Sequence, residues 1–279
     1  VRILLDFVVK GLAACAAAFQ FLTRLPVPVT LEYNDALFRR SVVFYPLVGA
    51  VIGLLIGAAG WLLQGWLAPG VTAALLLALW VAMTGGLHLD GLMDTADGIF
   101  SYRSREKMLE IMKDSRVGAM GVIACVLVLL CKWTLLQQWL PLSWRGSLLA
   151  LPLAALWSRW YMVVAIAFWP YARQDQTGSS RLGAFFRGLG AKHLILHTGL
   201  AVLLSWIVVW MMGEPFISLR GLMLVGLVAV GCAVIGVLIS VFISRKLGGL
   251  TGDTYGAINE LLETFLLLFL YIIIHGMNR

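Results

Sequence analysis

The sequence predicts an all-α fold: a polytopic transmembrane helix bundle of about seven spans, preceded by an N-terminal amphipathic helix. The chain is 61% hydrophobic and only 13% charged, and its mean hydropathy of +0.93 lies far from a soluble domain. Apolar stretches near the ~20 residues that cross a ~30 Å hydrocarbon core recur at 42–66, 70–88, 117–139, 146–169, 193–212, 221–243 and 257–275. Charge is one-sided: if these spans alternate, fourteen Lys and Arg residues from Arg24 to Lys246 fall on one face, against Arg145, Arg220 and Arg279 on the other. That bias places the long loops in the cytoplasm. The net charge of +7 therefore follows topology, and nucleic acid is not an expected partner. Connections are short, so residues 1–279 read as a single integral-membrane domain.

Residues 1–22 contain Asp6 and Lys10, which break an apolar run too early for a signal peptide; an interfacial amphipathic helix is expected, with an extra span as the alternative. Thr23-Arg24-Leu25-Pro26-Val27-Pro28 is a turn in which two prolines forbid helix and hold Arg24 near the membrane. Gly49, Gly53, Gly57 and Gly60 in the first span predict close approach of a second helix. The second span runs into Asp90, Asp94 and Asp97, with Gly98 expected to cap that helix in a left-handed conformation. A cytoplasmic helix follows within 101–116, with Ser104 as N-cap. Its Glu106 and Glu110 read as a solvated face, while Arg103, Arg105, Arg116 and Asp114 are equally readable as groups folded back over the aspartates toward a phosphate.

Lys132 and Arg159 are the basic residues inside spans, where charge requires a partner or a function. Lys132 is expected to snorkel and Arg159 to face a polar cavity. The 170–192 connection, with Tyr171-Ala172-Arg173 and Gly178-Ser179-Ser180, either closes over a ligand or merely connects. His193 and His197 lack a third ligand and read as a polar helix start. Cys15, Cys125, Cys131 and Cys232 lie in apolar segments without metal spacing and read as small core residues. Trp61, Trp66, Trp139, Trp144, Trp206 and Trp210 gather at the non-cytoplasmic ends of the spans, as an aromatic belt does.

Two stretches carry the chemistry. Asp90, Asp94 and Asp97 stand at i, i+4 and i+7, hence on one helical face, where like charges repel unless a cation sits between them. A hard divalent metal, most naturally Mg2+, resolves the conflict; a hydrated membrane-edge loop is the bland alternative. In Lys246-Leu247-Gly248-Gly249-Leu250-Thr251-Gly252-Asp253, glycines before a helix start let backbone amides approach an anion, with Asp253 and Glu260 on one face beyond. Asp253 alone is also readable as an N-cap. Nine of the fourteen acidic residues lie within 90–114 and 253–263, which suggests one site built from both ends of the chain. Carboxylates for a metal among Arg and Lys are what a diphosphate substrate needs, so the residues point to phosphoryl or diphosphate transfer at the membrane face.

Gly85-Gly86-x-His88-x-Asp90-Gly91-x-x-Asp94-x-x-Asp97-Gly98, with Thr23-Arg24-Leu25-Pro26 upstream and Gly248-Gly249-x-Thr251-Gly252-Asp253 downstream, closely resembles the cobalamin synthase family, the adenosylcobinamide-GDP ribazoletransferases. The resemblance spans essentially the whole chain. It implies a Mg2+-dependent membrane enzyme whose substrates are adenosylcobinamide-GDP and alpha-ribazole or its phosphate, with release of GMP. With it go Asp90, Asp94 and Asp97 on the metal and Asp253 completing the metal shell or orienting the hydroxyl. Glu260, Asp114 or His88 is the general base; Arg24, Arg103, Arg116, Arg159, Lys246, Gly249 and Thr251 bind substrate. Association as a homo-oligomer, or with other corrinoid-pathway enzymes, stays open. A CDP-alcohol phosphotransferase shares Asp94-x-x-Asp97-Gly98, but its following Ala-Arg and later aspartate pair are not reproduced here. A membrane prenyltransferase also uses aspartates for magnesium diphosphate. A cation transporter would place its carboxylates near mid-bilayer rather than at the ends of spans.

Overall fold

The computed structural model describes residues 2–140, 144–173, 189–215 and 218–277. In order these form α1 (Arg2–Leu22), α2 (Asp35–Ser41) with the 3-10 turn Val42–Phe44, α3 (Tyr45–Leu63), α4 (Pro69–Thr84), α5 (Leu87–Ile99) and α6 (Arg105–Ile111). There follow α7 (Ala119–Trp139), α8 (Trp144–Phe168), α9 (Ala191–Met211), α10 (Leu219–Leu247) and α11 (Gly252–Met277). Six segments are long and apolar enough to cross a membrane, and a seventh if α4 and α5 count as one.

That pair is where the helix expected to run on through the aspartates breaks. Gly85 and Gly86 both take left-handed backbone (φ 65° and 70°), which glycine adopts without the Cβ clash of other residues, and α5 leaves α4 at 89°. Arg24 stabilises the corner: its amide donates to the Met83 carbonyl at 2.7 Å, and its side chain lies where a Cβ on Gly85 would stand. Asp90, Asp94 and Asp97 therefore ride on a short helix of their own, with their spacing intact. Gly98 does not cap it; α5 continues to Ile99, and Gly98 is the flat spot onto which Met112 packs.

The packing axis is α3 against α8. A Cβ on Gly49 would collide with the Ala155 carbonyl and one on Gly53 with the Pro152 backbone, so the glycine stripe works as expected, letting two backbones touch. α11 packs against α5 and α8, and α7 against α4 and α5. α1 buries Ala14, Ala17, Ala18 and Leu22 while Leu5 and Leu12 stay exposed and Asp6 pairs with Lys10 in the open. One docked face and one free face are what an amphipathic helix presents. Trp61, Trp66 and Trp210 are exposed, but Trp139 is buried, edge-on to Tyr271 at 5.7 Å between centroids, and belongs to the core instead of a belt. His197 is likewise buried with Nε2 at 3.1 Å from the Trp160 carbonyl, a structural contact. Cys232 donates to the Trp157 carbonyl as a small core residue.

Candidate active site

The ends of α4, α8 and α10 and the starts of α5 and α11 meet at one end of the bundle. Small residues make the meeting possible. A Cβ on Gly91 of α5 would strike the Asp253 carbonyl, and one on Gly256 of α11 would lie 3.1 Å from His88 Cα. The two acidic stretches, far apart in sequence, thus cross in contact. Asp94 interacts electrostatically with Asp253, Asp90, Arg173 and Asp97. Among the described residues, Asp90 and Asp94 have no side-chain partner, whereas Arg173 Nη2 donates to Asp253 Oδ2 at 2.5 Å and to the Met112 carbonyl at 3.3 Å.

Arg173 is the residue that sequence reasoning missed as a site group. It is placed by a parallel bridge: Leu250 N donates to the Pro170 carbonyl and Ala172 N to the Leu250 carbonyl, each at 2.8 Å. The signal was its position directly after a span, three residues beyond Pro170. The bridge also redefines the glycine-rich turn. Gly249 (φ 153°) is needed because a Cβ there would hit the Pro170 carbonyl. Thr251 is buried and caps α11: Thr254 N donates to Thr251 Oγ1 at 3.3 Å, and Thr251 N to Thr254 Oγ1 at 2.8 Å. With the Gly248, Leu250 and Thr251 amides engaged inside the protein, the expected anion cradle is a structural joint, and Asp253 lies in the first turn of α11.

A cavity of about 170 Å³ opens beside these carboxylates. Asp90 and Asp253 line it together with His88, Tyr45, Phe21 and Met162. His88 is 2% exposed; Asn259 Nδ2 lies 3.1 Å from its Nδ1, and its Nε2 has no hydrogen-bond partner among the described residues. A larger cavity of about 260 Å³, bordered by Leu92, Leu127, Ile243 and Leu261, has no titratable group in its lining.

Other expected site residues are elsewhere. Glu260 is buried in an ion network: Lys132 Nζ lies 2.5 Å from Glu260 and 2.6 Å from Glu263, and Glu263 also pairs with Arg159. Lys132 therefore does not snorkel, and Arg159, fully enclosed, meets a carboxylate and the Ala155 carbonyl (2.9 Å) in place of an open polar cavity. Asp114 is bound by Arg116 at 2.7 Å on the surface, and that guanidinium holds its carboxyl down at about 2, so Asp114 is a poor proton acceptor and Arg116 is occupied. α6 does fold back onto α5 and carries Arg105 to the left-handed Gly248 at the end of α10, where the helix dipole favours a cation. Arg103 and Lys246 are exposed, and Lys107 pairs with Glu110 at 2.8 Å, the solvated face expected. Gly178-Ser179-Ser180 and its loop lie outside the described residues.

Asp97 stands apart from its neighbours. Its two oxygens accept from the Gly118 and Gly121 amides, each at 2.7 Å, so it ties α5 to the start of α7, where the positive helix end suits a carboxylate. Among the described residues no three acidic, histidine or cysteine side chains converge to hold a metal unaided. The donors still suit Mg2+, which typically takes one or two carboxylates and completes its shell with water and substrate phosphate.

Residues 14–271 match the family model described as cobalamin-5-phosphate synthase. A protein of Desulfitobacterium hafniense named adenosylcobinamide-GDP ribazoletransferase is 40% identical, over 90% of this chain and 93% of its own length. Proteins of the same name from Brevibacillus brevis and Desulforamulus reducens are 39% and 41% identical, over 91% and 90% of this chain and 95% and 92% of their own lengths. No solved structure matches. The match runs from within α1 to within α11, including both acidic stretches and the Arg173 bridge, and this chain belongs to the cobalamin-5-phosphate synthase family.

Proposed function

We propose that the chain transfers the cobinamide phosphoryl group of adenosylcobinamide-GDP to alpha-ribazole or its phosphate, releasing GMP and forming adenosylcobalamin or adenosylcobalamin phosphate. The observation that carries this reading is the meeting of Asp90 and Asp253 at one cavity, with Asp94 close enough to interact electrostatically with both, in a chain of this family. Asp90 and Asp94 have free carboxylates to hold Mg2+ against the diphosphate; the metal supplies neutralisation of charge on the transferring group. Asp253, oriented by Arg173, faces the cavity and directs the incoming ribose hydroxyl toward the phosphorus nearest the aminopropanol. The oxygen–phosphorus bond to ribazole forms as the bond to GMP breaks, and the hydroxyl proton is released to solvent. Asp97 and Arg24 act on shape, fixing the two ends of α5. The one-sided charge supports an inner-membrane protein with this end in the cytoplasm.

Membranes containing the chain, given adenosylcobinamide-GDP, alpha-ribazole and Mg2+, are expected to release GMP and form cobalamin. Folded protein that yields neither overturns the proposal. Release of CMP from a CDP-alcohol, or of diphosphate from a prenyl donor, supports the rival enzymes instead.

A further inference from the structure

We infer that the 170 Å³ cavity among α1, α3, α5, α8 and α11 is the subsite for the flat base of the acceptor nucleoside. The inference rests on the transferase reading and assigns one of its two substrates to a place.

Size decides first. An apolar cavity of about 150 Å³ holds a benzene ring, whereas pockets that enclose drug-sized ligands run from about 300 Å³ upward. At about 170 Å³ the space takes a one- or two-ring base and excludes a corrin macrocycle. The walls agree. Phe21 and Tyr45 lie with their rings 24° from parallel, so one planar group can continue their stack. Leu22, Met162 and Ile166 supply apolar surface, and only the mouth is acidic, through exposed Asp90 and quarter-exposed Asp253. A base lodged inside leaves its ribose at that mouth, beside the group proposed to orient the hydroxyl.

The second observation is independent of shape. His88 lines this space, and its Nε2 is buried and lacks a hydrogen-bond partner among the described residues; a buried polar atom left so is costly unless a ligand completes it. Where the Asn259 amide nitrogen, 3.1 Å away, donates to Nδ1, that atom accepts and Nε2 is the nitrogen left to carry the proton. Nε2 then offers a donor to the substrate, most directly to the free ring nitrogen of a benzimidazole-type base. His88 holds the acceptor; it does not remove its proton.

The test uses the full chain in lipid nanodiscs. Met162→Trp fills the space and is expected to raise the KM for alpha-ribazole and its dissociation constant in equilibrium dialysis by about tenfold or more, leaving adenosylcobinamide-GDP binding within twofold of native. His88→Ala is expected to raise that KM with a smaller change in kcat, where loss of a general base would collapse kcat. Ile166→Ala enlarges the space and should raise the preference for a naphthimidazole over a benzimidazole nucleoside by about threefold, a gain that damaged protein would not show. Loss of adenosylcobinamide-GDP binding in Met162→Trp, collapse of kcat alone in His88→Ala, or an unmoved preference in Ile166→Ala overturns the subsite. A native chain that releases no GMP yet binds alpha-ribazole in a Met162-dependent manner overturns the transferase reading and keeps the subsite.

Discussion

α11 carries acids of two kinds. In its first turn Asp253 joins Asp90 at an accessible cavity beside Asp94, and among the described residues Arg173, bonded to Asp253, is the one cation bonded to this set. Farther along, Glu260 and Glu263 lie buried against Lys132 and Arg159, two charges against two. The difference is charge balance. A buried set that neutralises itself can stay in a membrane interior, because each ion's desolvation is offset by its partner. An open set with surplus negative charge invites a cation from solution. Acidic composition alone does not separate these cases; their partners do.

Asp94→Asn attacks the surplus set and has the largest expected effect, a fall in GMP release of about 10³-fold or more, as when a charge-stabilising group is removed from a transition state. Thermal stability should stay at or above native, since one of several repelling carboxylates is neutralised. Turnover near native would remove Asp94 from the site. Chelation with EDTA is expected to match that loss and added Mg2+ to reverse it; activity that survives chelation breaks the metal assignment. Glu263→Gln attacks the balanced set, leaving two buried cations with one carboxylate, at a cost of about 3–5 kcal/mol and about 10 °C in Tm. The paired change Arg159→Met with Glu263→Leu keeps the remaining charges matched and should recover much of that Tm. If the paired change is as damaging as the single one, charge balance is not what the network supplies. Arg173→Met lies between the two regions: it leaves the fold and removes one charged hydrogen bond to Asp253, worth about 1.5–3 kcal/mol, so kcat/KM should fall by tens of fold.

The spans and the acidic spacing were legible because both depend on neighbours in sequence: run length for a bilayer, and i, i+4, i+7 for a helix face. What depended on distant backbone was not. Gly85-Gly86 reads as part of a continuing motif until two positive φ angles turn it into a corner. Asp97 shares a face with Asp90 and Asp94, yet its partners are amides of Gly118 and Gly121 that no side-chain pattern announces. Glu260 follows Asp253 by seven residues and looks like part of the same site, but the cation that claims it, Lys132, is on another helix. The turn at Gly248-Gly249 has the composition of an anion cradle, and only the Pro170 carbonyl pressed against Gly249 shows why glycine is required. Arg173 gave no pattern beyond its charge and its place just after a span, because its role comes from a two-residue bridge.

The smallest expected effect comes from a third arrangement of acid, the exposed pair of Asp114 and Arg116. Arg116 bonds Asp114 through Nε at 3.0 Å, Nη2 at 2.7 Å and its own amide at 3.0 Å, all of which favour the carboxylate over the acid. Its folded value is therefore depressed below the ordinary 3.8 of a carboxylate, and the sign follows: what the pair contributes to stability is present above about 4 and is lost as pH falls through about 2. At any pH where the chain works, Asp114 is ionised and already bonded, with little tendency to take a proton from an attacking hydroxyl. Asp114→Asn should leave GMP release within twofold of native at neutral pH, with a Tm that differs from native by less than the Glu263→Gln shift. A large loss of kcat in that variant would bring the surface acid into the reaction and break the division between balanced and surplus charge.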